Sequence, residues 1–284
     1  MPRRQAFKEY YTAGEVKKKL GITDGQLYNY VRYGHLQRIM PPGRKQGVYR
    51  RDEVDKFALE LKAFLSGSDQ VRRLTFTNVT ESDIPDFVRL TEEIFSGVHL
   101  DAGERVRWIK RNPEVLYQLC LDTQIIGCAV ILPLKPEKIE QILRDEASAD
   151  EIKAEEIETY ETEKPFHLYI TGVGVSPTLN KQDKRWYGAK LTRNIGEAII
   201  NLGKRGIEIE TITARSETVD GIRLLRHVGF RQIPSITRKV NFRIDMKEAD
   251  HIDIAVQYNK ELQKARKQRT QKHRKATKEE LEPA

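Results

Sequence analysis

Cysteine is almost missing from this chain: Cys120 and Cys128 are the only thiols in 284 residues. So few thiols exclude a disulfide framework, and a reducing cytoplasmic setting is the expectation. No run of about 18 apolar residues occurs, which excludes a membrane-spanning helix. Residues Met1 to Lys8 hold no apolar signal core, which argues against secretion. His99, His167, His251 and His273 lie far apart without metal-ligand spacing, so no metal is expected. No internal repeat is visible. Hydrophobic residues make up 38% and charged residues 32%. At this length two folded units are expected.

The chain does have an uneven distribution of charge. Its net formal charge is +8. Residues 1–70 carry 14 Lys/Arg against 8 Asp/Glu, residues 71–246 carry 26 against 27, and residues 247–284 carry 10 against 7. The excess lies at the two ends, where it would attract a polyanion such as DNA or serve solubility. Lys260–Lys278 holds nine basic residues and one acidic one, and reads as a basic tail, helical or disordered. Glu137–Glu163 is the reverse, 11 acidic against 3 basic, and reads as an exposed insertion.

The first 65 residues read as three helices and a hairpin. Val16 and Leu20 share a face of a helix ending before Gly21. Thr23 suits an N-cap, with Gln26 as its capping-box partner. The helix that follows runs to about Tyr33 on Leu27, Tyr30 and Val31, and Gly34 can end it in the left-handed conformation. Arg38 to Tyr49, with Pro41-Pro42-Gly43 and Gly47, suits a hairpin. Asp52 can open a third helix on Val54, Phe57, Leu61 and Leu65, and Ser66-Gly67-Ser68 suits a linker. Two short helices joined by a three-residue turn can lay the second across a DNA major groove.

Residues 11–57 resemble the winged helix-turn-helix domain of the MerR family and of related excisionase-type proteins. The matching frame is Gly14-Glu15-Val16, Leu27, Arg32, Gly34, Leu36, Gly47, Tyr49 and Asp52-Glu53-Val54. The resemblance implies double-stranded DNA as partner. It makes Gln26, Tyr28, Asn29 and Arg32 base-reading candidates beside the Thr23 cap, and Arg44, Lys45, Tyr49 and Arg50 backbone candidates. The long dimerising coiled coil of MerR regulators is shortened here to Asp52–Leu65, which leaves a homodimer an open expectation.

From Leu74 the pattern changes to strands alternating with helices. Strands are expected at Leu74–Val79, Val115–Leu121, Ile125–Leu132, Phe166–Val175, Ile207–Thr213 and near Arg238–Phe242. Helices are expected at Ser82–Phe95, Gly188–Lys204 and Val219–His227. This order resembles the GNAT acyltransferase fold, an α/β arrangement of a mixed sheet flanked by helices. The likeness rests on Val173-Gly174-Val175-Ser176-Pro177, on Arg185-Trp186-Tyr187-Gly188-Ala189-Lys190-Leu191, and on the Gly221–Phe230 helix and turn. It implies an acetyl-CoA site at Val173, Val175, Arg185, Tyr187, Gly188, Ala189 and Lys190, with the pyrophosphate on a helix N-terminus at Gly188.

Two departures bear on chemistry. Lys190 stands where the family has a second small residue. Leu225 stands where many members have a tyrosine that protonates the leaving thiolate, which leucine cannot do. Residues 1–66, 70–246 and 247–284 are therefore read as a DNA-binding unit, a GNAT-like sensor or interaction unit, and a tail. The chain is expected to be a cytoplasmic, nucleoid-associated transcriptional regulator that is not catalytic, with acetyl-CoA or another acyl-CoA as its implied ligand. The alternatives are an acetyl-CoA-dependent N-acyltransferase carrying a DNA-binding unit, and a plasmid or recombination accessory factor.

Overall fold

A computed structural model describes residues 9–41, 46–65, 74–95 and 100–281. The N-terminal part begins with strand β1 (Tyr10–Thr12) and helices α1 (Ala13–Leu20) and α2 (Asp24–Arg32). Both helices start at threonine caps. Thr12 takes the Glu15 N–H and Thr23 takes the Gln26 N–H, each at 3.3 Å, and the Glu15 and Gln26 side chains reach back to the cap N–H. Gly21 and Gly34 follow the helices with φ of 67° and 78°, conformations in which any Cβ is strained. Strand β2 (Val48–Arg50) pairs antiparallel with β1, and an isolated bridge joins Ile39 to Val48. Helix α3 (Arg51–Leu65) closes this part. Val16, Leu27, Leu36, Tyr49, Val54 and Phe57 form its core.

The remainder is a mixed seven-stranded sheet flanked by helices. It comprises β3 (Leu74–Asn78), α4 (Ile84–Ile94), α5 (Ala102–Arg111), β4 (Leu116–Leu121), β5 (Gln124–Leu134), α6 (Pro136–Leu143), β6 (Pro165–Val175), α7 (Lys181–Lys204), β7 (Glu208–Ser216), α8 (Val219–His227), β8 (Arg231–Ile233), β9 (Val240–Asp245) and α9 (Asp253–Leu281). The strand order is β3-β4-β5-β6-β7-β9-β8, and β6 and β7 are its parallel pair. On one face Leu191, Ile195, Ile199 and Leu202 of α7 bury against Phe166, Leu168, Ile209 and Phe242. On the other, Phe87 and Trp108 bury against Leu116, Leu132 and Tyr169.

Three expectations are corrected. The acidic segment is not a solvated insertion, because Ile139, Ile142, Leu143, Ile152 and Ile157 are all buried. Its backbone is strapped to α5, with Trp108 Nε1 donating to the Ile152 carbonyl at 3.1 Å and Asn112 Nδ2 to the Glu158 carbonyl at 2.9 Å. The apolar residues are thinly spread among carboxylates, so the segment looks exposed by composition. The basic tail is helical, one of its two expected forms, but its first turns are part of the body. Ala255, Tyr258 and Leu262 of α9 are buried, and the Tyr258 hydroxyl donates to the Ile207 carbonyl at 2.9 Å while accepting from the Ile209 N–H. Farther along α9, Arg266 and Arg269 pair with Glu208 and Glu163. Third, α7 begins at Lys181 and not at Gly188, because Asn180 caps it.

The N-terminal part rests against this second body. Helix α3 packs on α7. The His35 ring lies 4.5 Å from that of His227 and 6.2 Å from that of Phe57, centroid to centroid. The Tyr33 ring stacks on His251 at 5.5 Å. Burial and the neighbouring His227 lower the His35 pKa to about 4.

Candidate functional site

Pairing between β6 and β7 stops at Ile170 and Ala214, yet β6 runs on to Val175 and β7 to Ser216. Opposite β5 the register slips between Val130 and Ile131, which leaves Thr171 as an extra residue. Such a bulge bends its strand and frees backbone groups from the ladder. It also resets the alternation of β6, so Ile170, Val173 and Val175 all pack toward α7 while Gly172 and Gly174 meet α4. A Cβ at Gly172 would stand 2.9 Å from the Phe95 ring, so glycine is what lets the end of α4 lie on the strand.

Where the strands part there is a mainly apolar cleft of about 170 Å³. Helix α7 gives it Thr192, Ile195, Gly196 and Ile199, and α8 gives Gly221, Leu224, Leu225 and Val228, each set a single helical stripe. Phe230, Met246 and Ile252 are buried members of the lining. No residue of α8 is fully buried, although Leu224, Leu225 and Val228 all point to the cleft, so its apolar stripe is only partly covered. The polar lining is sparse. Thr192 Oγ1 is turned away to the Gly188 carbonyl at 2.9 Å, while Thr171, Arg215, Ser216 and Thr218 belong to the strand ends. The Arg215 side chain, 8% exposed, is held on the α6 side by the Ile142 carbonyl, by Asp145 at 2.6 Å and by Thr237 at 3.0 Å. It is the one ionisable group among the described residues of the lining, which include no carboxylate, imidazole, thiol or phenol.

The residues proposed for acetyl-CoA divide into two sets. Val173 and Val175 are on β6 beside the parting strands. Arg185, Tyr187, Gly188, Ala189 and Lys190 lie inside α7, past its first turn, where each backbone N–H belongs to the helical ladder. Tyr187 is a core residue, and the Lys190 ammonium stands 5.1 Å from the centre of the Trp186 ring. Arg185 is one of three cations, with Lys56 and Arg223, whose fields act on the half-buried Glu60 carboxyl of α3; burial outweighs them and raises its pKa. The actual N-terminus of α7 is closed by the chain itself. Asn180 Oδ1 accepts from the Gln182 and Asp183 N–H groups at 3.0 Å, and its Nδ2 donates to the Asp183 carboxylate at 2.8 Å. A pyrophosphate needs those N–H groups and is repelled by that carboxylate. At the start of α7 those two N–H groups are held by Asn180, with the Asp183 carboxylate beside them. Reading Asn180 and Asp183 as a cap pair was the signal that could have placed the helix start.

The DNA-contact candidates are placed as follows. Tyr28, 66% exposed, Asn29 and Arg32 stand on one open face of α2. Thr23 and Gln26 are exposed but bond to each other in the capping box. Tyr49 is buried in the small core, and Arg50 makes a two-pronged pair with Asp52 at 3.1 and 2.9 Å. Arg44 and Lys45 lie outside the described residues.

Among the described residues no cluster of His, Cys, Asp or Glu could hold a metal, and no helix is long and apolar enough to cross a membrane. No protein-family model and no curated protein matches the chain. Among solved structures it is similar to the loading GNATL domain of CurA from Lyngbya majuscula, at 14% identity and TM-score 0.45 over 62% of this chain and 98% of that one. It is similar to the GphF GNAT-like decarboxylase in complex with isobutyryl-CoA, at 15% identity and TM-score 0.44 over 60% and 98%. A third is the PaiA N-acetyltransferase from Thermoplasma acidophilum in complex with coenzyme A, at 9% identity and TM-score 0.41 over 61% and 99%. At such identities and TM-scores neither ligand nor activity passes from those proteins to this chain.

Proposed function

We propose that this chain is a DNA-binding regulator whose GNAT-like second unit senses an acyl ligand in the cleft between β6 and β7 without transferring the acyl group. The observation that carries this reading is the composition of the cleft: an incompletely covered apolar lining whose described residues include no acid or base able to move a proton. Leu225 itself lines the cleft, so the position expected of a tyrosine donor is filled by a side chain that only packs. The open Tyr28, Asn29 and Arg32 face supports DNA as the other partner, because Asn pairs with an adenine edge and Arg with guanine or phosphate. The experiment is a titration of the full chain with acetyl-CoA and hexanoyl-CoA beside the corresponding free acids, read by thermal unfolding. Mass spectrometry of polyamine and peptide acceptors accompanies it. A ligand-dependent rise in unfolding temperature without acylated product supports the reading.

The parting of β6 from β7 also favours a second reading, an acyl-CoA-dependent N-acyltransferase. Acylated product formed at a rate that tracks protein concentration establishes that reading in place of the first.

A further inference from the structure

Resting on the reading of the cleft as the ligand site, we infer that a ligand bound there steadies the base-reading helix α2, because the cleft wall made by α8 and the start of α9 is also the surface on which the N-terminal part rests. On α8 the wall has two faces. Leu224 and Val228 line the cleft, while the residues just before them, Arg223 and His227, face the N-terminal part. Each pair is spaced four apart and so forms a stripe on its own side of the helix. The His227 ring lies 4.5 Å from that of His35 and 5.4 Å from that of Phe57, and Arg223 is one of the cations acting on Glu60 of α3.

The chain leading into α9 repeats the arrangement. Ile252 and Ile254 line the cleft. Between and before them, His251 stacks on Tyr33 at 5.5 Å with the ring planes 22° apart, and the Asp253 carboxylate adds to the burial that raises the Tyr30 pKa. The two segments of wall are in contact. Gly229, with φ of 96°, follows α8, and a Cβ there would stand 2.8 Å from the Ile252 side chain. The turn after α8 therefore lies directly on Ile252.

The least anchored part of this wall is α8, none of whose residues is fully buried. A ligand covering Leu224, Leu225 and Val228 adds apolar burial where α8 lacks it, and an α8 held from the cleft side holds its other stripe against His35 and Phe57. The effect arrives at the C-terminal end of α2. The Tyr33 N–H donates to the Asn29 carbonyl at 2.9 Å, and the His35 and Leu36 N–H groups both donate to the Tyr30 carbonyl, at 2.8 and 3.2 Å. Tyr33 and His35 meet the wall, and Asn29 and Arg32 stand in the turn that Tyr33 closes.

The test is hydrogen exchange of the full chain, followed at the Tyr33, His35 and Leu36 amides, with and without acetyl-CoA, hexanoyl-CoA, acetate and hexanoate, each also titrated calorimetrically. A probe at about 100 times its Kd can slow an opening that releases it by at most about 100-fold, and slowing of at least about threefold at these amides is the expected result. The comparison protein carries His227→Ala and His251→Ala, which leave every lining residue in place. It should still bind the probe and lose the slowing. If it fails to fold or to bind, His251→Ala alone, which removes a half-exposed ring, decides by whether the slowing at Tyr33 is lessened. A probe that binds without slowing these amides, or slowing that persists undiminished in the variant, overturns this inference and leaves the cleft as a ligand site. No binding by any of the four probes overturns both the inference and the reading on which it rests.

Discussion

Replacing His35 with phenylalanine should make the contact between the N-terminal part and the sheet less sensitive to acid. The His35 ring is wedged between Tyr30, Phe57 and His227, at 5.7, 6.2 and 4.5 Å between centroids, and its pKa falls from 6.5 to about 4. The cause is first burial and then the adjacent imidazole. A depressed pKa in the folded state means that the unfolded chain takes up the proton first. The contribution of neutral His35 is thus complete above about pH 6.5 and is lost as the pH falls toward about 4. At ~1.36 kcal/mol per pKa unit the full loss would be ~3 kcal/mol, reached below about pH 4. The ring keeps some contact with water, which screens the charge. About 1 kcal/mol is therefore the expected loss between about pH 7.5 and about pH 5. Urea unfolding at these two pH values, with hydrogen exchange along α3 as the local readout, measures it. With His227 replaced by phenylalanine in both proteins, so that the coupled imidazole is removed and the remaining titrations are common to both, the protein that keeps His35 should lose about 1 kcal/mol more than His35→Phe. Equal losses in the two proteins would refute the linkage and the burial on which it rests.

Other positions give independent checks. Tyr258→Phe should destabilise the protein by about 1–3 kcal/mol, since it strands the buried Ile207 carbonyl and Ile209 N–H; a change within error would detach α9 from the core. Asn180→Ala should cost about 1 kcal/mol in chemical unfolding through loss of the α7 cap, and no loss would return the helix start to Gly188. Leu225→Tyr places a phenol at the cleft and should leave acyl transfer undetectable, because no other acid or base is among the described lining residues; product formation would show that the proton donor was the one missing part.

Helix α2 was legible because local chemistry announces it, Thr23 with Gln26 at its start and Gly34 in the left-handed conformation after it, whereas the Thr12–Glu15 capping box that starts α1 was not read. Helix α8 was legible throughout its length, since its alternation of apolar and charged residues has the helical period. Helix α5 was missed, although Asp101 caps it on the Gly103 and Glu104 N–H groups, because Arg105 and Glu104 are buried and interrupt the apolar stripe. The strap after α6 and the start of α9 were hidden for a related reason: a few isoleucines and one tyrosine anchor stretches whose composition is that of solvent-exposed chain. The cleft itself could not be read from the sequence. It arises from a one-residue bulge at Thr171, and a bulge is a property of the pairing of two strands and not of either alone. The motif at Arg185 to Lys190 misled in the opposite direction, because a short match to a phosphate loop competes poorly with a helix already capped at Asn180.

The central claim is that one chain joins a DNA-binding face to a ligand cleft, and selection from random duplex DNA by the full protein tests its first half most directly. The account predicts enrichment of a defined sequence. Asn29→Ala should lower the affinity for that sequence by about 1–3 kcal/mol while leaving binding to random DNA unchanged. A selection that recovers no sequence above background, or an Asn29→Ala protein that loses specific and random DNA equally, would contradict it.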